Sequence, residues 1–442
     1  MHQKFKPNIL FLVIDSLRTD RIDNPSKTTK IPNIESLINS GFLFNHVIGC
    51  SDTTILNIGS LFSSQYPFRN GIDVYRNHSK TTVFFDRLKK YDYFRCATVP
   101  NASFFRSLTK NFEKIDFTTI MPTELLNDGI DEKIIHQLNQ SKTPWIHYIH
   151  LLDLHPTKNN FILPPKFNSN DYGHTEYDRT VSLIDDWIGK ITKSIDLEKT
   201  LIVVTSDHGE YVSEHKNLVY DTKNLESFFR NLKKYFPFLE SVGIKFFLTI
   251  RKILFSIRRR KLKKSLSELE MRSLQTRLGW DLHDEIIRVP LILSGYGVKN
   301  RGIINKQISQ MDIVPTLSEI IGLPKDPNAD GQSLMPLLNN LPFNEIPIYI
   351  ESATNDPKSQ GNVVGIRTTK YKMYKSRDSK KKKVLQLFDL EKDPLEKKNI
   401  ANENTSIITD LEKLMSQIKH SKSNSSEKDF IKRKIMKKRK FL

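Results

Sequence analysis

Apolar residues along this chain cluster in short continuous runs, and the stretches between the runs repeat apolar positions at a helical spacing. The first run, Asn8-Ile-Leu-Phe-Leu-Val-Ile14, is unbroken and rich in β-branched residues. A strand with one face in water would alternate apolar and polar positions, so this run predicts a central parallel strand covered on both faces. Comparable runs lie at Trp145–Leu151, 201–205, 289–293 and 348–350, with helical patterns at 34–38, 175–195 and 312–321. Strands alternating with helices predict an α/β fold: a mostly parallel central sheet with helices on both faces, followed by a smaller C-terminal subdomain. Asp15 directly follows the first run and Ser206-Asp207-His208-Gly209 follows 201–205. Open sheets of this kind gather their ligand chemistry at the carboxyl ends of the strands.

The segment 221–275 breaks the rhythm with interleaved aromatic and basic residues, and it reads as a helical insertion in a catalytic domain spanning 1–340. A C-terminal subdomain is expected over 341–415 and a Lys- and Ser-rich disordered tail over 416–442. Charge sharpens this division. Residues 233–264 carry eleven Lys/Arg against Glu240 alone, and 419–442 carry ten against Glu427 and Asp429, so these stretches supply +18 of the net +19. The basicity belongs to two appendages, and the rest of the chain is nearly neutral. Aromatic and cationic residues mixed over 233–264 suit an anionic membrane surface, as does the tail. A soluble lid packed on the body is the simpler alternative. No nucleic-acid-binding motif accompanies the charge, so nucleic acid is not an expected partner.

Two cysteines, Cys50 and Cys96, make no disulfide framework, and a reducing compartment is the default. No run is long enough to span a bilayer, and the apolar stretch at 9–14 is too short for a signal-peptide core. The expected location is cytoplasmic, with peripheral attachment to the inner membrane face open.

Asp15, Asp207 and His208 would converge on one edge of the sheet, and two carboxylates with an imidazole suit a divalent cation. Helix capping or turn formation is the plainer alternative for either aspartate. The motifs along the chain decide between them. Ser60-Leu-Phe-Ser-Ser-Gln-Tyr-Pro67, Asp15-Ser-Leu-Arg-Thr-Asp20, Ser206-Asp-His-Gly-Glu210, Arg288-Val-Pro-Leu-Ile292, Asp312-Ile-Val-Pro-Thr-Leu317, Asp330-Gly-Gln-Ser-Leu334 and Leu387-Phe-Asp-Leu-Glu-Lys-Asp-Pro394 together resemble the sulfatase family of the alkaline phosphatase superfamily, in the family's order.

The resemblance implies an ester-cleaving enzyme and places the nucleophile at Thr54. Sulfate-ester hydrolases of the family carry Cys or Ser there, within Cys/Ser-x-Pro-x-Arg, and convert it to formylglycine. Here Thr54, Leu56 and Ile58 replace all three elements. A threonine resembles instead the superfamily's lipoteichoic acid synthases and phosphoethanolamine transferases, whose metal is held with an acid, an Asp and a His; Asp15, Thr54, Asp207 and His208 provide that set. A cation lowers the pKa of a hydroxyl that is otherwise a poor nucleophile. Thr54 also opens a helix predicted over 55–63, whose free amides attract a phosphoryl or sulfuryl group. Ser16 stands where the family has a second acid, so one metal ion is implied, with manganese or zinc favoured by the imidazole and magnesium or calcium as alternatives.

The resemblance also marks substrate-binding candidates. His155 matches the family's Asp-Pro-His-x-Pro histidine, Asn101 falls near an asparagine of related transferases, and His215 and His283 are further candidates, with His283 beside the place of a family Lys/His that this chain lacks. Arg18 and Arg288 are expected to pair with neighbouring acids. The expected reaction is metal-dependent hydrolysis or transfer of a phosphate or sulfate ester through Thr54, on a lipid head group or a glycan. A sulfuric ester hydrolase with an unusual nucleophile and a non-catalytic relative that binds anionic membranes or polymers are the alternatives.

Overall fold

Asn8–Ile14 (β1) is the axis of the larger sheet in a computed structural model of the chain, which describes residues 5–73, 83–118, 129–155, 163–212, 268–273, 281–353, 362–378 and 383–421. The other strands are β2 (Gly41–Ile48), β3 (Phe94–Pro100), β4 (Lys114–Thr118), β5 (Trp145–Leu151), β6 (Thr200–Thr205), β7 (Arg288–Gly295), β8 (Gly302–Ile304) and β9 (Ile308–Ser309). Among the described residues these nine lie in the order β4-β3-β5-β1-β6-β7-β2-β8, with β9 also on β2. Strands β4 to β6 run parallel, whereas β7 is antiparallel to both of its neighbours. The expected mostly parallel sheet is therefore present, with 289–293 as its reversed member. An apolar run fixes burial but not direction, so that reversal has no hydrophobic signature.

The period of two along each strand divides the core. Phe11 and Val13 of β1, Ile146 and Tyr148 of β5, and Leu201 and Val203 of β6 face one layer, where Ile58, Leu61 and Phe62 of the helix Thr54–Ser63 pack. Leu10, Leu12, Ile149, Ile202 and Val204 face the other, against Ile34 and Leu37 of the helix Pro32–Asn39 and Val181, Ile184 and Trp187 of Glu176–Lys193. The long helix begins where its pattern does, because Thr175 accepts a hydrogen bond from the Asp178 amide in a capping box.

The run 348–350 belongs not to this sheet but to a second, antiparallel one of β10 (Ile348–Glu351), β11 (Val363–Arg367), β12 (Tyr371–Ser376) and β13 (Leu385–Asp389). Leu411 of the helix Thr405–His420 packs against Ile366, Met373 and Leu387 of that sheet. This helix runs past residue 416, where the tail was expected to start, and 422–442 lie outside the described residues. A buried ion cluster ties the small sheet to the segment before β7. Asp284 meets Arg367 at 2.7 Å and the fully buried Lys372 at 2.8 Å, while Lys372 also contacts Glu396.

The chain divides into a unit of Met1–Glu210 with Arg277–Leu442 and a second unit, Tyr211–Thr276. Of the second, only 211–212 and a helix, Glu268–Ser273, are described. The basic run 233–264 and His215 lie outside the described residues. No helix among the described residues is long and apolar enough to cross a membrane.

Candidate active site

Because β1 lies between β5 and β6, the residues that follow or end these strands meet at one edge. Asp15 continues the parity of Phe11 and Val13, His150 that of Ile146 and Tyr148, and Asp207 that of Leu201 and Val203. All three side chains thus emerge on the layer that holds the helix Thr54–Ser63. Asp15 extends the ladder, its amide donating to the Leu151 carbonyl at 2.9 Å.

The turn after β1 is held from several directions. Ser16 adopts a left-handed backbone with φ of 64°, uncommon for a residue with a side chain. Its amide donates to Asp207 Oδ1 at 3.1 Å, its hydroxyl to Asp15 Oδ1 at 2.6 Å, and its carbonyl accepts from the Tyr177 hydroxyl at 2.7 Å. The next amide, of Leu17, donates to Ser206 Oγ at 2.9 Å. These bonds over-determine the strained residue and lock the ends of β1 and β6 together. Gly209 follows because a Cβ there would sit 2.1 Å from the Glu285 carbonyl oxygen.

Thr54 is the first residue of its helix, and Oγ1 lies 3.3 Å from Asp15 Oδ2 and 3.2 Å from His208 Nε2. His208 Nδ1 is 2.9 Å from the Gly209 carbonyl oxygen. A carbonyl only accepts, so Nδ1 carries the proton in neutral His208 and Nε2 presents a lone pair toward Thr54. His208 Nε2 is also 3.4 Å from Asp207 Oδ2. The structure therefore brings Asp15, Thr54, Asp207 and His208 together.

His150 joins them, a residue that the sequence reading did not single out. Its Nε2 is 3.7 Å from Asp15 Oδ2, and metal-ligating atoms of Asp15, His150 and Asp207 all lie within 4.8 Å of one another. The three residues are buried, and His150 Nε2 and Asp207 Oδ2 have no hydrogen-bond partner. Two buried ligand atoms that make no hydrogen bond, facing a second carboxylate, fit a divalent cation, which would satisfy both. Burial alone would push the Asp15 carboxyl up; contact with His150 and the charges of His208 and His155 outweigh it and hold the carboxyl well below the usual range.

His155 is half-buried in the turn after β5, its amide donating to Leu152 O at 2.9 Å, and it is near enough for its charge to bear on Asp15. Asn101 is exposed just after β3, and its Oδ1 accepts from Arg106 Nε at 2.7 Å. His283 caps the short helix Asp284–Ile287, with its ring against Tyr374 and Phe388 of the small sheet at 6.0 and 5.5 Å. These contacts do not bring Asn101 or His283 to the Asp15 cluster. Arg18 pairs with Asp20 at 2.7 Å and Arg288 with Asp23 at 3.2 Å, the local pairing expected of both.

Among curated proteins the chain is similar to arylsulfatase K of Mus musculus, 32% identical over 152 residues, which are 33% of this chain and 27% of that protein. The match thus spans little more than a quarter of that relative. Among solved structures it is similar to the phosphonate monoester hydrolase of Agrobacterium radiobacter, with a TM-score of 0.66 at 15% identity over 93% of this chain and 96% of the other. It is also similar to a protein crystallised with its substrate D-glucosamine-2-N,6-O-disulfate, with a TM-score of 0.61 at 14% identity over 93% and 97%. The model of the C-terminal region of N-sulphoglucosamine sulphohydrolase matches residues 277–422. The sulfatase model matches residues 7–323, from the strand that delivers Asp15 to just past the helix that carries the Asp312 motif, and the chain belongs to the sulfatase family.

Proposed function

We propose that this protein cleaves or transfers a phosphate or sulfate ester through the Thr54 hydroxyl. The observation that supports this most is the place of Thr54 Oγ1, between Asp15 and the His208 lone pair at the start of a buried helix. In the reading, Oγ1 attacks the phosphorus or sulfur, a bond forms to Thr54, and the bond to the ester oxygen breaks. His208 Nε2 takes the Thr54 proton and returns one to the departing alcohol. Water or an acceptor hydroxyl then displaces Thr54 by the reverse exchange. The first free amides of the helix receive the oxygens of the transferred group. Asp15, His150 and Asp207 would hold one divalent cation, which supplies the positive charge that makes a hydroxyl a competent nucleophile and offsets charge on the ester.

An imidazole among the donors favours zinc or manganese over calcium. The small sulfated sugar bound by one structural neighbour supports a sulfate ester as substrate, and the threonine supports a phosphate ester. The basic run 233–264 and the basic tail support a donor on a lipid head group or glycan, with attachment to an anionic membrane face. Aryl phosphate monoesters, phosphodiesters and sulfate esters, each assayed with manganese, zinc, magnesium and calcium, separate these readings. Turnover of at least one class is expected of wild type and none of Thr54→Ala; turnover that survives Thr54→Ala refutes Thr54 as nucleophile. Loss of vesicle binding on deletion of 221–275 supports the membrane reading, and unchanged binding refutes it.

A further inference from the structure

Tyr148 and His150 lie two residues apart on β5, on the same face, and the Tyr148 hydroxyl is 3.0 Å from His150 Nδ1. Both are buried. The tyrosine ring is wedged among aromatic side chains, with Phe62 edge-on at 5.0 Å and Phe85 at 5.6 Å, while Phe105 lies 4.6 Å from the imidazole. Both rings are thus packed on aromatic neighbours. At the far side of the imidazole, Nε2 faces Asp15 and has no hydrogen-bond partner.

We propose that Tyr148 is a positioning residue for the cation site: by accepting a hydrogen bond from His150 Nδ1–H, its hydroxyl presents the His150 Nε2 lone pair to Asp15 and Asp207. A neutral imidazole carries one proton, and a nitrogen that ligates a metal must leave that proton on the other. Here the other nitrogen faces the Tyr148 hydroxyl. A hydroxyl both donates and accepts, so it serves the ring in either tautomer: it donates to Nδ1 when Nε2–H points at Asp15, and accepts from Nδ1–H when Nε2 is a ligand. A phenylalanine in its place leaves a buried Nδ1–H unpaired in the ligating tautomer, which opposes that tautomer and not the fold as a whole. The inference rests on the cation reading above and adds Tyr148 to it.

The test is calorimetric titration of zinc chloride into the metal-stripped full chain, for wild type, Tyr148→Phe, His150→Gln and the double variant. Wild type is expected to bind about one equivalent. Tyr148→Phe is expected to weaken zinc binding about 10–100-fold, the range for loss of an outer-shell partner. The double variant is expected to bind no more weakly than His150→Gln alone, because Tyr148 acts through His150; a merely structural role would give additive losses. Zinc affinity unchanged by Tyr148→Phe, or additive losses, overturns the inference and leaves the cation site standing. A wild type that binds neither zinc nor manganese overturns both. If Tyr148→Phe does not fold, long-range proton–nitrogen spectra of histidine-labelled wild type with zinc decide. The signal missing in His150→Gln must show Nδ1–H, and an Nε2–H signal overturns the inference.

Discussion

Asp207→Asn should invert the stability ranking of the protein according to whether a cation is present. Ligating atoms of Asp15 and Asp207 lie within 4.8 Å of each other in a buried site. At that separation two unit charges in a medium of effective dielectric about 20 repel by about 3.5 kcal/mol. The introduced amide would keep an oxygen to accept from the Ser16 amide, now at 3.1 Å, and the His208 amide, now at 2.8 Å, and would replace Oδ2, which makes no hydrogen bond, with an uncharged NH₂ group. Relief of most of the repulsion should stabilise the metal-free variant by about 2–3 kcal/mol, or roughly 3–4 °C in Tm for a domain of this size. A cation at a thousandfold excess over its Kd adds about 4 kcal/mol to wild type and nothing to a variant that has lost its site, so wild type then overtakes. Thermal melts at pH 8, above the ordinary imidazole range, with chelator and then with zinc or manganese, read both effects. A metal-free variant less stable than wild type, or an equal metal-induced shift in the two, would rule out a cation held by Asp207 against carboxylate repulsion.

Lys372→Met should destabilise the fold by about 3–5 kcal/mol, because it removes the buried ammonium that pairs with both Asp284 and Glu396; urea midpoints check this, and a loss under about 1 kcal/mol contradicts it. His147, fully buried with Nε2 3.0 Å from Thr98 Oγ1, is pushed by burial, aided by the charge of Lys114, from 6.5 down to about 3. Its folded pKa lies below the unfolded value, so the unfolded chain binds the extra proton in that window and stability falls as pH drops from about 6.5 toward 3. The loss from this group should reach about 2–3 kcal/mol between pH 7 and 4.5. Urea unfolding of His147→Asn over that range should show a correspondingly shallower pH dependence, and identical slopes would contradict the assignment.

Much of the site was legible because strand ends advertise themselves. Asp15 directly follows an unbroken apolar run, Asp207-His208 follows another after Thr205 and Ser206, and a central parallel strand delivers whatever follows it to one edge of the sheet. Thr54 came from counting back along a motif, and the helix it opens begins one residue before the predicted 55–63. His150 carried no motif. Its signal was its parity and its place one residue from the end of β5, and these become informative only once β5 is known to lie beside β1. β2 was not picked out because Asn45 and His46 interrupt it, at the position where its register with β7 shifts between Phe44 and Val47. The run 348–350 read like a member of the main sheet because four buried residues in a row look alike in either sheet. His283 was marked for its place beside a family position, whereas its ring packs on Tyr374 and Phe388, residues distant in sequence that no local pattern connects to it.

Whether Thr54 carries the transferred group is read most directly by peptide mass spectrometry of enzyme quenched by acid during turnover of an aryl phosphate or aryl sulfate. A phosphoryl or sulfuryl adduct is expected on the peptide containing Thr54 in wild type, and neither adduct nor turnover in Thr54→Ala. An adduct on another residue, or turnover undiminished in Thr54→Ala, would contradict that role.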